Sequence, residues 1–334
     1  MDIDSYVAER EEQWNRLDAL TSGRRPLTGA QADELVDLCA RVGTHLSVVR
    51  ASGYDPLLEA RLTDLLARAR GVLTGTSPVL LPVLVRFLTV AFPAAVYRSR
   101  WLALGTAVVT VLLGVLVASR VAADPALADS LLPPELQRAY VEHDFAAYYS
   151  DNPAHAFGLE VWLNNARVAA LCLLLGVALV PLLLVLWTNT ENLGVAAGFM
   201  VGHDRADVFF GLILPHGLLE LTAIWIAAAG GLRLAWAWIS PGARSRGAAL
   251  AQEGRAAAST ALGLVPVLLV SGALESLLTP STLPAWARVG IGATVWAAVL
   301  AYLHVLGRRA VLAGETGDLL PGDRSAEQPY EAAV

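Results

Sequence analysis

Residues 187–231 read WTNTENLGVAAGFMVGHDRADVFFGLILPHGLLELTAIWIAAAGG. The second half is an apolar run long enough to cross a bilayer, yet it contains Pro215, His216, Gly217 and Glu220. An ionisable side chain at the centre of a membrane helix costs ~2.5–3.5 kcal/mol on insertion scales. His216 and Glu220 are four residues apart and share one helix face. Such a pair is tolerable only where other helices of the same bundle enclose it. The stretch therefore predicts a polytopic membrane protein with a polar point inside it.

Composition agrees. Of 334 residues, 55% are hydrophobic and only 16% charged, against ~25% charged in soluble domains, and the mean hydropathy is +0.53. All 24 basic residues are arginine. Cys39 and Cys172 are far apart, so neither a disulfide framework nor a zinc site is expected. The first 77 residues are polar and helical in pattern, and no basic segment leads into an apolar core, so no cleavable signal peptide is expected.

Three amphipathic helices are expected in that front. Ile3, Val7, Trp14 and Leu17 mark the first. Thr28 and Gln31 have the spacing of a capping box, followed by the stripe Leu35, Leu38, Cys39, Val42, Leu46 and Val49. Asp55-Pro56 starts the third, with Leu58, Leu62, Leu65, Leu66, Ala69 and Val72 on one face. His45 is expected to pack, and the near-balanced charges exclude a nucleic-acid patch. Residues 78–100 carry Pro82, Pro93 and Arg86 within an apolar run; they are expected as a helix in the membrane interface, with the arginines at the headgroups.

Spans are expected at about 101–121, 167–187, 257–278 and 289–306. The tail 310–334 is expected to be disordered. Loop 122–166 carries seven acids against Arg138 alone. Arginines cluster before Trp101, at 233–255 (Arg233, Arg244, Arg246, Arg255) and after Leu306. The positive-inside rule then places both termini in the cytoplasm. Residues 188–232 must cross twice or enter and return, which predicts a hairpin over 190–231. Its first arm, 192–202, is expected to be a short half-helix presenting Gly194, Gly198 and Gly202 for close packing, with Gly217 on the second arm. A polar turn lies at His203–Asp207, and a broken helix of this kind needs protein or a water-filled cavity around it.

At these residues a family becomes recognisable. LILPHGLLELTAIWIAAAGGLRLAW (212–236), LNNARVA (163–169), ALESLLTPS (273–281) and FPAAVYRSR (92–100) resemble the stage II sporulation protein M (SpoIIM) family, and the blocks occur in matching order. The long front and the all-arginine usage suggest its actinobacterial branch. The resemblance implies an integral membrane protein of the bacterial envelope. In endospore formers the family member localises cell-wall hydrolases during engulfment. No catalytic residue, cofactor or metal is implied.

The expected fold is thus an all-α polytopic bundle with a small N-terminal cytoplasmic helical unit. The expected function is a non-enzymatic envelope scaffold, with a permease-like or proton-coupled transporter as the alternative. Partners would be membrane lipids and other envelope or membrane proteins, with a homo-oligomer as a further option and no nucleic acid. His216 and Glu220 either tie helices together or relay protons. His-x-x-x-Glu lacks the third ligand that a catalytic zinc needs. Glu275, in the fourth span, is either interfacial or meets that pair. Asn164, Asn165 and Arg167 are expected as caps and anchors at the outer mouth of the second span.

Overall fold

The computed structural model describes residues 3–22, 27–52, 56–73, 80–148 and 154–318. It divides into two compact units, 1–84 and 85–334.

The first unit holds α1 (Ile3–Ser22), α2 (Gly29–Ser52) and α3 (Pro56–Leu73). Its core is built from the predicted stripes: Trp14 and Leu17 of α1, Leu35, Val42 and Val49 of α2, and Leu62 and Ala69 of α3 are almost fully buried. Val72 departs from the expected face and is 39% exposed, because it sits in the last turn of α3. The capping box forms: the Thr28 amide donates to Gln31 Oε1 (2.9 Å), and the Gln31 amide donates to Thr28 Oγ1 (3.4 Å). Trp14 Nε1–H donates to His45 Nδ1 at 3.2 Å. That bond uses the neutral imidazole, and burial, helped by Arg10, holds the His45 pKa below its ordinary value. The expected cap Asp55 lies outside the described residues.

An irregular helix follows, α4 (Leu80–Arg86), a π turn (Phe87–Ala91) and α5 (Phe92–Arg98), and the second unit begins within α4 at Val85. Phe92 packs face-on to Gly263, where a β-carbon would fall 2.0 Å from its ring. Two arginines of the segment, Arg86 before the π turn and Arg98 at its end, reach the chain that follows the last helix. Arg86 pairs with Glu315 at 3.0 Å, and Arg98 donates to the Thr316 carbonyl.

Then come α6 (Arg100–Ala123), short helices α7 (Pro125–Leu131), α8 (Pro134–Ala139) and α9 (Phe145–Ala147), α10 (Ala154–Leu174), α11 (Val180–Gly202), α12 (Ala206–Ile239), α13 (Arg246–Ala273) and α14 (Ala285–Leu312). Among the described residues, six helices are long and apolar enough to cross a membrane: Leu81–Arg98, Arg100–Ala123, Gly158–Ala178, Ala206–Ile239, Arg246–Leu278 and Ala285–Leu312. The protein is a multi-pass membrane protein. α11 is 23 residues long, about 35 Å at 1.5 Å per residue, but its TNTEN belt (188–192) lowers its apolarity.

Contacts fix the directions. Gly194 sits on Gly114 and Val117, Gly198 on Ala118 and Val121, and Gly202 on Ala122, so α6 and α11 run parallel. Gly231 of α12 lies on Cys172 of α10, and Trp296 Nε1–H of α14 donates to Thr222 Oγ1 of α12 (2.9 Å). Ser271 of α13 donates to the His216 carbonyl, while Glu253 of α13 meets Arg233. Thus α6, α11 and α13 run one way, and α10, α12 and α14 the other. α12 is the hub: 61% of its apolar window is buried, against 6% for α6 and 11% for α14. The outward side chains of α6, such as Leu112 and Val115, are more than 60% exposed. That is the pattern of a helix whose outer face meets lipid.

Three expectations are corrected. The span placed at 167–187 does not exist as one helix. α10 starts at Ala154 and passes through a 3-10 turn (Leu175–Ala178), and the chain breaks at Leu179, whose φ is +49°. Pro181 then opens α11. The arm at 192–202 is therefore no half-helix: it is the second half of a full-length helix, and the hairpin of 190–231 becomes α11, the turn at His203–Arg205, and the 34-residue α12. The tail is ordered through Asp318, because Glu315, Thr316, Gly317 and Asp318 each bond a helix. Residues 319–334 lie outside the described residues.

Candidate functional site

The site forms where α10, α12 and α13 meet, near the end of the bundle that carries the His203 turn. α12 continues through Pro215, whose ring removes one helix hydrogen bond. The neighbouring helices close on this point. Gly292 of α14 abuts the Pro215 carbonyl, where a β-carbon would fall 2.0 Å away. Ser271 Oγ donates to the His216 carbonyl at 3.1 Å.

His216 is 3% exposed and Glu275 3% exposed. His216 Nε2 lies 3.7 Å from Glu275 Oε1. Ligand-capable atoms of His216, Glu220 and Glu275 all lie within 4.8 Å of one another. The two readings of Glu275 are thereby resolved: it meets the His216/Glu220 pair. A π turn (Leu274–Leu278) at the end of α13 puts it there. That extra residue in the turn lets both Glu275 and Ser276 face inward, while Leu277 is 69% exposed.

The Glu220 carboxyl is within hydrogen-bonding reach of Ser271, Glu275 and Asn165. Glu275 Oε2 is buried with no hydrogen-bond partner among the described residues. His216 Nδ1 bonds Thr279 Oγ1 at 3.2 Å, and Arg288 donates to the Thr279 carbonyl. At the margin, the half-exposed Tyr148 phenol is pushed up by burial, and the carboxylates of Glu275, Glu160 and Glu220 add to it.

The group Asn164, Asn165 and Arg167 does not stand at a helix mouth. With α10 starting at Ala154, all three lie about three turns inside the helix. Asn165 turns inward to the cluster, whereas Asn164 and Arg167 face outward. Gly194, Gly198 and Gly202 pack on α6, away from the site. Gly217 is buried beside Ile213 of its own helix, so the structure does not join it to that packing face.

A second polar cluster escaped the sequence reading. α12 runs to Ile239 and α13 starts at Arg246, so the expected arginine loop at 233–255 shrinks to the stretch 240–245, and Arg233 and Glu253 become helical. Glu253 is 6% exposed. Arg233 grips it with two bonds of 2.8 Å, and Arg98 adds one of 3.2 Å. The wide separation of Arg233 from Glu253 along the chain carries no periodic signal. Only the helix-forming run AALAQEGRAAA (248–258) hinted that Glu253 was not in a loop.

Residues 103–280 match the family model of stage II sporulation protein M. Residues 4–75, the first helical unit, match a domain of unknown function, DUF8413. Comparison with curated proteins and with solved structures gives no match. The first match spans more than half of the chain and covers α6 to α13 with the site between them, so this multi-pass protein of the sporulation and envelope type belongs to the stage II sporulation protein M family.

Proposed function

We propose that the protein is a non-enzymatic membrane scaffold that anchors a bacterial cell-envelope complex. The observation that carries this reading is how the bundle uses its interior polar groups. They tie helix to helix: Trp225 to Thr110, Trp296 to Thr222, Ser271 to the His216 carbonyl, and Arg98 and Arg233 to Glu253. Family membership supports the envelope setting. The helical unit of 1–84, with its own core, offers a separate soluble surface for partners.

Charge supports an orientation. Arg98, Arg100, Arg233, Arg244, Arg246, Arg308 and Arg309 belong to one end of the bundle, and the acids of 124–144 to the other. The arginine end is cytoplasmic by the positive-inside rule, which puts both termini inside. The 86–98 stretch, tied through Arg86 and Arg98 to residues 315–316, lies along that interface. Lipids and envelope proteins are the partners, and a second copy of the chain is a further one.

Purification of the full chain from its own membranes in mild detergent tests the scaffold. One or more stoichiometric envelope proteins should accompany it; recovery of the chain alone sinks the reading. A second reading, proton-coupled transport, draws on the pair of the partly buried Glu220 and the buried Glu275. It requires a pH-dependent flux in liposomes that Glu220→Gln abolishes.

A further inference from the structure

The geometry points to a divalent transition-metal site formed by His216, Glu220 and Glu275, whose ion fastens α12 to the end of α13. Neither the scaffold reading nor family membership supplies it.

Three observations converge. First, the ligand atoms gather within 4.8 Å, from the middle of α12 and from the π turn that ends the next helix, α13. Bonds of ~2.0–2.2 Å to a common ion bring such atoms to ~3–4 Å of one another, so small rotamer adjustments close the site. Second, the imidazole is presented the right way round. Thr279 Oγ1 holds His216 Nδ1 at 3.2 Å and so fixes the ring. The other ring nitrogen, Nε2, is directed at Glu275 Oε1, 3.7 Å away. With the proton on Nδ1, shared with Thr279, Nε2 can serve as a metal ligand beside the carboxylate. Third, Glu275 Oε2 is buried without a hydrogen-bond partner among the described residues. A buried acceptor left so costs stability that a metal bond removes.

The chemistry selects the ion. Two carboxylates carry two negative charges into an apolar interior, and a dication neutralises both, whereas a shared proton neutralises one. An imidazole ligand favours Zn²⁺ or Fe²⁺ over Mg²⁺ or Ca²⁺, and the two carboxylates suit Mn²⁺ as well. Asn165 and Ser271, in reach of Glu220, and Thr279 on His216 are the outer groups that orient such ligands. The two-ligand spacing His-x-x-x-Glu could not show this, because the third ligand arrives through the π turn.

The test uses the full chain in detergent, stripped with chelator and incubated with Zn²⁺ or Mn²⁺ in turn, then desalted. Elemental analysis should find about one ion per chain for at least one of the two metals, with a raised Tm, and at least a tenfold lower content in Glu275→Gln and in His216→Gln. Glu142→Gln, an exposed acid at the same end, should retain it. Should the variants fail to fold, X-ray absorption on the wild-type zinc form decides. A shell of one imidazole nitrogen with carboxylate oxygens supports the site, and a sulfur-containing or all-oxygen shell overturns it. Wild-type content below about 0.1 ion per chain for both metals, or unchanged content in both variants, also overturns it.

Discussion

The bundle buries acidic side chains at both ends, and the two ends handle them in opposite ways. Glu253 is enclosed by two guanidiniums, one of them bidentate, and every partner is supplied by the chain. Glu275 and Glu220 face an imidazole and each other, and one carboxylate oxygen is left without a hydrogen bond among the described residues. The first arrangement is a closed set: it needs nothing else to hold α5, α12 and α13 together. The second is an open set, with acceptors in excess of donors. A buried polar group without a partner is costly, so an open set kept in a bundle core is the place to look for something that the chain binds, whereas the closed set reads as architecture.

The largest expected effect comes from breaking the closed set. Glu253→Gln leaves two partly buried guanidiniums without their counter-charge and should cost about 3–5 kcal/mol, read as a lowered Tm in detergent. If instead the loss is no larger than for Glu220→Gln in chelator-treated protein, the contrast between the two ends is mistaken. Next in size is Gly231→Val. Its β-carbon would fall 2.2 Å from the Cys172 carbonyl and 2.5 Å from Leu182, pushing α12 off α10 at a cost of ~1–3 kcal/mol or more. Since α12 carries His216, Glu220 and Arg233, this change should loosen both ends together, and a metal-dependent Tm rise should shrink with it. Glu220→Gln without metal keeps the shape and hydrogen-bonding capacity and should change stability by less than ~1 kcal/mol.

The smallest effect belongs to the first unit and serves as a control. His45 is held below its ordinary pKa in the fold, so its contribution is complete above ~6.5 and is lost as pH falls through the folded value. Hydrogen exchange of α2 amides, corrected for intrinsic rate, should quicken at about pH 5.5 relative to about 7.5. His45→Gln should flatten that difference while leaving the two membrane clusters unchanged.

What the sequence made legible were patterns repeated over many residues. Stripes such as Leu35, Leu38 and Val42 identify a helix face because several turns agree, and the Gly194-Gly198-Gly202 series identifies a contact face for the same reason. Thr28 and Gln31 are readable because a cap is local. The break at Leu179 is hidden inside LCLLLGVALVPLLLVLW (171–187), where no polar residue interrupts the run, and Pro181, its local mark, lies inside the span expected at 167–187. Glu253 was unreadable, and Glu275 was legible only as one of two alternatives, for a different reason. Their environments are made by residues on other helices, far along the chain, or by one extra residue in a turn, and neither leaves a period. Asn165 lies in the middle of its helix and not at a mouth because α10 starts about three turns earlier than the apolar run alone indicates.

The short stretch after α14 has a mechanical meaning. Glu315 holds Arg86, Thr316 holds Arg98, Gly317 holds Ser259, and Asp318 holds Arg255. Four successive residues thus grip three different helices, α4, α5 and α13. A pull on the chain beyond Asp318 is divided among them rather than peeling one away. Whatever takes hold of that trailing end therefore tugs on the rim of the bundle as a whole.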